Sequence, residues 1–175
     1  MKTLTLLRHA KSGWDDPALT DFQRPLNARG REAARAMGSE LRRLGLVFDC
    51  VLASPAARVT ETIDGLAESY GPLDPHYDER LYLASAETLL GLVRATADSC
   101  AALLVVGHNP GTERLALLVS RAGPLRSEIA AKYPTGALAE IAFPIEHWRD
   151  VGPGGGNLHR FLRPRDLEMQ SRSKE

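Results

Sequence analysis

The chain has 175 residues, 43% apolar and 25% charged, values near the globular average that argue against a disordered or membrane-embedded protein. Lys plus Arg and Asp plus Glu both number 22, so no electrostatic footprint for nucleic acid or an anionic membrane exists and neither is expected as a partner. Any anion site must be local. One domain is expected over residues 1–167, followed by a polar, frayed tail over 168–175.

Lys2 to Leu7 is β-rich and is predicted as the first strand, stopped by Arg8-His9. An arginine at position 8 breaks the apolar run that a signal peptide needs, and a cytoplasmic setting is expected. Residues 11–25 contain Gly, Pro and Asp without a period and read as a surface loop. Asn27 is placed to cap a helix whose apolar face is Ala33, Met37, Leu41 and Leu44, with Gly45 closing it. Asp49 to Ala53 is predicted as a second strand. Ser54-Pro55 then reads as an N-cap and a proline at the first helical position, opening a helix through Val59, Ile63 and Leu66.

A Gly/Pro/Asp-rich stretch at 71–78 reads as a loop, and Ser85 as the start of a helix carrying Leu89, Leu92 or Val93, and Ala97. The uninterrupted apolar run Ala102 to Val106 suits a central strand covered on both faces. Leu115, Leu118 and Val119 mark another helix after Pro110-Gly111. Gly136 to Phe143 and Asn157 to Leu162 are expected as strands of a hairpin joined by a glycine-rich turn at 152–156. Cys50 and Cys100 border strand-like runs without metal-ligand spacing and read as free thiols. Alternating strands and helices point to an α/β fold, a three-layer α/β/α sandwich around a central, mostly parallel sheet.

In such sheets ligands bind beyond the carboxyl ends of the strands. Arg8-His9, Ser54 with Arg58 one helical turn on, and Gly107-His108-Asn109 all fall at those ends. Two arginines and two histidines converging there would make a cationic pocket suited to a phosphoryl group. The helix start near Ser54 adds its dipole. Taken singly, His9 reads first as a structural turn residue, His108 as a helix cap and Arg58 as a solvated surface charge; it is their convergence that reverses this. A zinc site is the rival use of two histidines and a carboxylate, but the two arginines would repel a cation, so neither metal nor cofactor is expected. P-loop, dinucleotide-binding, G-x-S-x-G and Cys-x5-Arg patterns do not occur.

Leu7-Arg8-His9-Ala10, Ser54-Pro55 with Arg58 and Thr62, Glu79-Arg80-Leu81-Tyr82 and Val106-Gly107-His108-Asn109-Pro110 resemble, in this order, the motifs of the histidine phosphatase, or phosphoglycerate mutase-like, superfamily. Tyr133-Pro134-Thr135-Gly136-Ala137 and the short length look most like its small SixA-type phosphohistidine phosphatase branch. The resemblance reaches about Leu167. It implies a metal-independent phosphatase in which His9 takes the phosphoryl group and Arg8, Arg58 and His108 hold its oxygens, with Ser54 and Asn109 as further substrate contacts. Ala10 stands where the family has glycine and disfavours a positive φ. Asp15 falls near a family asparagine that contacts phosphate, and Glu79 at the position of the leaving-group acid, with Asp15 as the local alternative. The implied partner is a phosphorylated substrate, a phosphohistidine-bearing protein slightly ahead of a small phosphoester. For a protein substrate a shallow pocket is expected, walled by the loops at 11–25 and 71–78. The competing functions are a non-catalytic phosphate- or phosphohistidine-binding module and, more remotely, a mutase.

Overall fold

The apolar runs of the sequence build a single six-stranded sheet. In a computed structural model, which describes residues 1–174, the strands are β1 (Lys2–Arg8), β2 (Cys50–Ala53), β3 (Pro75–Tyr77), β4 (Ala102–Gly107), β5 (Leu138–Phe143) and β6 (Asn157–Leu162). Their order is β3-β2-β4-β1-β5-β6. The pairs β3–β2, β2–β4 and β4–β1 are parallel, whereas β5 runs antiparallel to β1 and β6 antiparallel to β5. The mostly parallel α/β sandwich expected from the sequence is the fold found.

Because side chains alternate across a strand, each central strand feeds two cores. Leu4, Leu6, Leu103 and Val105 enter one, and Leu7, Leu104 and Val106 enter the other. The helices α1 (Ala28–Arg43) and α2 (Ala57–Tyr70) close the second through Met37, Leu41, Val59, Ile63 and Leu66. On the opposite face, α3 (Ala86–Arg94), α4 (Gly111–Val119) and α5 (Pro124–Ala131) contribute Leu89, Val93, Leu115, Val119 and Ile129. Asn27 and Ser85 act as the caps expected of them, accepting from the N–H groups of Gly30 and Thr88.

The chain departs from expectation in four places. The segment at 71–78 contains the edge strand β3, whose first residue, Pro75, needs no donor there. The helix after β2 starts at Ala57 with Ala56 as its cap, so Ser54 caps nothing. The helix opened by Ser85 stops at Arg94, short of Ala97. Finally, α5 has a single buried residue, and α6 (Pro164–Ser173) runs straight through the expected tail boundary with none. Asp166 holds the start of α6 by accepting the Arg163 backbone N–H at 3.0 Å.

Candidate functional site

Parallel registry brings three strand ends level. Arg8 pairs with Gly107 and Ala53 with Val106, so His9, Ser54 and His108 follow at one sheet edge. The backbone continues the pairing one step further, His9 N–H donating to the Gly107 carbonyl at 3.1 Å and Ser54 N–H to the Val106 carbonyl at 3.1 Å. A cavity of about 440 Å³ opens there, lined by Arg8, His9, Arg58, His108 and Asn109 among others.

His9 is 7% exposed, and its Nδ1 lies 2.7 Å from the Ala10 carbonyl oxygen. A carbonyl only accepts, so Nδ1 carries the proton and the lone pair of neutral imidazole is on Nε2. Burial, reinforced by the charges of Arg58, Arg8 and Arg24 and opposed by the Ala10 hydrogen bond, pushes the imidazole down to about 4. At neutral pH the ring is therefore an uncharged base. His108, its ring centre 5.4 Å from that of His9, is held near 3 by burial and then by His9, Arg58 and Arg8, against the opposing charge of Asp21. Its Nε2 is 2.7 Å from Ser54 Oγ, which also receives the Ala56 N–H at 3.3 Å. The hydroxyl is fully buried and Nε2 is its acceptor among the hydrogen bonds of the described residues, so Ser54 donates to Nε2, leaving Nδ1–H as the donor of His108. Ser54 is fully buried behind His108 and sets its tautomer.

Arg58 is 2% exposed. Its Nη1 and Nη2 donate to the backbone carbonyl (2.6 Å) and Oδ2 (3.0 Å) of Asp21. Burial alone would raise the Asp21 carboxyl, but hydrogen bonds from Tyr82, Arg58 and Arg24 outweigh it and bring the group to about 2. Arg8 donates through Nη1 to the Tyr133 carbonyl at 3.0 Å, and Asn109 Nδ2 reaches the same oxygen at 3.0 Å. The Tyr133 hydroxyl in turn donates to Leu6, and Gly136, at φ +75°, gives its N–H to the carbonyls of Arg8 and His9. The segment 133–136 thus clamps the ends of β1 and β4 together.

What is left over decides the chemistry. Among the described residues, the buried side-chain polar atoms without a partner are Arg8 Nε, Arg58 Nε and His108 Nδ1, all on residues lining the cavity. Each unpaired buried donor costs on the order of 1–3 kcal/mol. All three belong to residues lining the same cavity, and donors of this kind suit an anion such as a phosphoryl group.

The family profile described as the histidine phosphatase superfamily (branch 1) matches residues 4–142. The chain belongs to this superfamily. An uncharacterized protein of Mycobacterium tuberculosis is 37% identical over 163 residues, covering 91% of this chain and all of the relative. Two solved structures, each described as a candidate phosphohistidine phosphatase SixA, share the fold. That from Nakamurella multipartitia is 28% identical with a TM-score of 0.82, covering 93% of this chain and 96% of its own. That from Agrobacterium tumefaciens is 29% identical with a TM-score of 0.78, covering 93% and 98%. Family and neighbours together make the chain a histidine phosphatase of the SixA type.

Not every residue singled out in the sequence of this histidine phosphatase reaches the cavity. Glu79 is exposed at the start of a 3-10 turn, Glu79–Leu81, where Asp78 caps the turn and buried Leu81 anchors it, and it does not line the space. Asp15 is also exposed and outside the lining, its carboxylate lying over Gly13. The loop at 71–78 contributes no wall either. The loop at 11–25 supplies five of the twelve lining residues, Lys11, Ser12, Trp14, Asp21 and Arg24, with Arg24 stacked 3.6 Å from the centre of the exposed Trp14 ring. Ala10 meets the glycine position of the family without strain, since its φ is not positive. Its N–H donates to Thr62 Oγ1 at 2.9 Å, and its methyl group is buried with Leu26 and Ala34.

Asp21 is the functional candidate the sequence hid. It lies 37 positions before Arg58 in an aperiodic loop, and only the tertiary fold joins the two. A hint was present in the capped 3-10 turn Asp21–Gln23, whose Thr20 N–H donates to Gln23 Oε1, but it says nothing about the partner.

Proposed function

We propose that this phosphatase transfers the phosphoryl group of a protein phosphohistidine to His9 and then to water. The observation that carries it is the trio of unpaired donors, Arg8 Nε, Arg58 Nε and His108 Nδ1, around a histidine whose Nε2 is left unprotonated. Nε2 of His9 attacks phosphorus as the bond from phosphorus to the leaving nitrogen breaks, and the departing imidazole, already protonated on its far ring nitrogen, keeps the electron pair and leaves neutral. Water then attacks phosphorus, the P–Nε2 bond breaks with its electron pair returning to Nε2, and the phosphate leaves with both protons of the water, so that His9 is again neutral with its proton on Nδ1. The three donors take up the charge that spreads onto the non-bridging oxygens. Asn109 and Ser54 act by holding the Tyr133 carbonyl and the His108 ring in place.

A phosphoramidate is favoured over an alkyl ester by the carboxylates. Asp21 is the one carboxylate among the lining residues, and with a pKa near 2 and its oxygens committed to Arg58, Arg24 and Tyr82 it has no proton to give. An imidazole leaves without strong acid assistance, whereas an alkoxide needs it. Phosphohistidine is therefore expected to be hydrolysed with a kcat/KM far above that of an alkyl phosphate, and Glu79→Gln to change neither. A substantial fall on Glu79→Gln, confined to the ester, would restore Glu79 as the acid and the small phosphoester as substrate.

The lowered pKa of His9 also fixes the pH profile. After correction for ionisation of the substrate, kcat/KM should stay level from about pH 7 to about pH 5 and decline only as His9 gains a proton near 4. Stability follows the same sign. The unfolded chain protonates its histidines near 6.5 and the folded one only near 4, so stability is complete above the former and is lost as pH falls toward the latter. An acid limb centred near the ordinary histidine value would contradict a desolvated nucleophile.

A further inference from the structure

A second cavity, of about 450 Å³, adjoins the catalytic one, and Lys11 and Thr135 line both. It runs between the first turns of α1, the segment before β5 and the start of α6. Five cationic side chains face two carboxylates around it, the cations including Lys11, Arg29, Lys132 and Arg165. Arg163 is occupied by Asp166 at 2.9 Å and Glu128 at 3.6 Å, but Lys11, Arg29 and Lys132 have no carboxylate partner among the described residues. Between the charges lie the apolar surfaces of Ala33, Ala36, Pro134 and Pro164.

We propose that this groove receives an acidic stretch of the protein substrate beside its phosphohistidine, an inference that rests on the function proposed above and specifies the substrate further. The distribution of charge argues for a peptide over a second phosphoryl group. The catalytic cavity holds its anion with buried, unpaired donors, whereas none of the buried unpaired polar atoms lies in the groove. Exposed cations spaced over apolar patches instead match an extended chain that alternates acidic and small apolar side chains. Continuity through Lys11 and Thr135 lets one chain occupy both spaces.

The test is binding, by fluorescence anisotropy, of short peptides carrying a non-hydrolysable phosphohistidine analogue flanked by glutamate, alanine or lysine. Arg29 and Lys132 are exposed and outside the catalytic cavity, so Arg29→Glu with Lys132→Glu leaves the fold and the phosphoryl site intact. Glutamate flanks should bind the unaltered protein about ten-fold more tightly than lysine flanks, the order expected of two or three exposed charge pairs. The gap should close in the double variant and shrink with added salt, while alanine flanks bind both proteins alike. Equal affinity for the two flanks, a gap that survives in the double variant, or charge dependence seen only with a small bisphosphate would overturn the proposal. Failure of the unaltered protein to hydrolyse phosphoramidate would instead overturn the catalytic reading, because the binding comparison needs no turnover.

Discussion

Replacement of His9 by alanine should remove measurable turnover of every substrate, a larger loss than any other single substitution in the cavity. No second group can take its place. His108 is bonded through Nε2 to Ser54, and Asp21 is locked between three donors. The fold should survive, since His9 adds one buried ring at the mouth of a cavity and its main-chain bond to Gly107 does not depend on the side chain. Steady-state kinetics with a phosphoramidate, alongside thermal unfolding, checks both halves of this expectation. Loss of activity together with loss of folding would leave the kinetic effect without meaning, and His9→Gln then serves as the isosteric replacement. Activity retained by a folded His9→Ala protein would remove the nucleophile from the mechanism.

Arg58→Ala should cost about 10²–10³ in kcat, the size of losing one pre-positioned donor to the transferring group. Arg58 Nε is the guanidinium nitrogen without a partner, while Nη1 and Nη2 each spend one of their two N–H groups on Asp21. Arg58→Lys should rescue little: an ammonium cannot hold the Asp21 carbonyl and carboxylate while also offering a third donor in a fixed direction. Asp21→Asn should cost less than Arg58→Ala, as it keeps the guanidinium but loosens its aim. If Asp21→Asn proved as damaging as Arg58→Ala, the carboxylate would have a role beyond positioning. The comparison of kcat across the three variants, with KM measured in parallel, separates these cases.

Much of this site was legible because three of its pieces are short motifs fixed to strand ends. Once Lys2–Arg8, Cys50–Ala53 and Ala102–Gly107 pair in parallel, Arg8, His9, Ser54, Arg58 and His108 have no choice but to meet. Ser54 reaches the expected sheet edge, but it is fully buried and does not line the cavity, so it is no direct substrate contact. Read as a helix cap, it is instead the partner that orients His108, because the helix starts three residues later. Residues whose position depends on long loops were not readable. Asp21, Arg24 and Trp14 lie in a stretch without periodicity, and their partners are set by tertiary contact. Glu79 illustrates the converse: its place along the chain suggested an acid, but the turn anchored by Leu81 carries the carboxylate out to solvent. The missed elements share a cause. β3 is a three-residue edge strand begun by proline, and α5 and α6 bury one residue and none, so each lacks the apolar period by which helices and strands announce themselves.

Ala10 shows how a departure from a family pattern is absorbed. Glycine is needed at such a position only if the backbone turns left-handed or a neighbour sits where Cβ would be. Here φ is not positive and the methyl group packs against Leu26 and Ala34, while close approach is required one layer away. A Cβ on Gly30 would lie 2.1 Å from the Lys11 carbonyl oxygen, so it is Gly30 that lets α1 press against the segment that follows His9.

The most direct test of His9 as the group that carries phosphate is rapid-quench trapping with a ³²P-labelled phosphohistidine substrate. Label should appear on the protein within one turnover, stable to base and labile to acid, map to the peptide containing Arg8-His9-Ala10, and be absent from His9→Ala. Label on any other residue, or turnover in single-exchange conditions with no protein-bound label at any time, would contradict the mechanism.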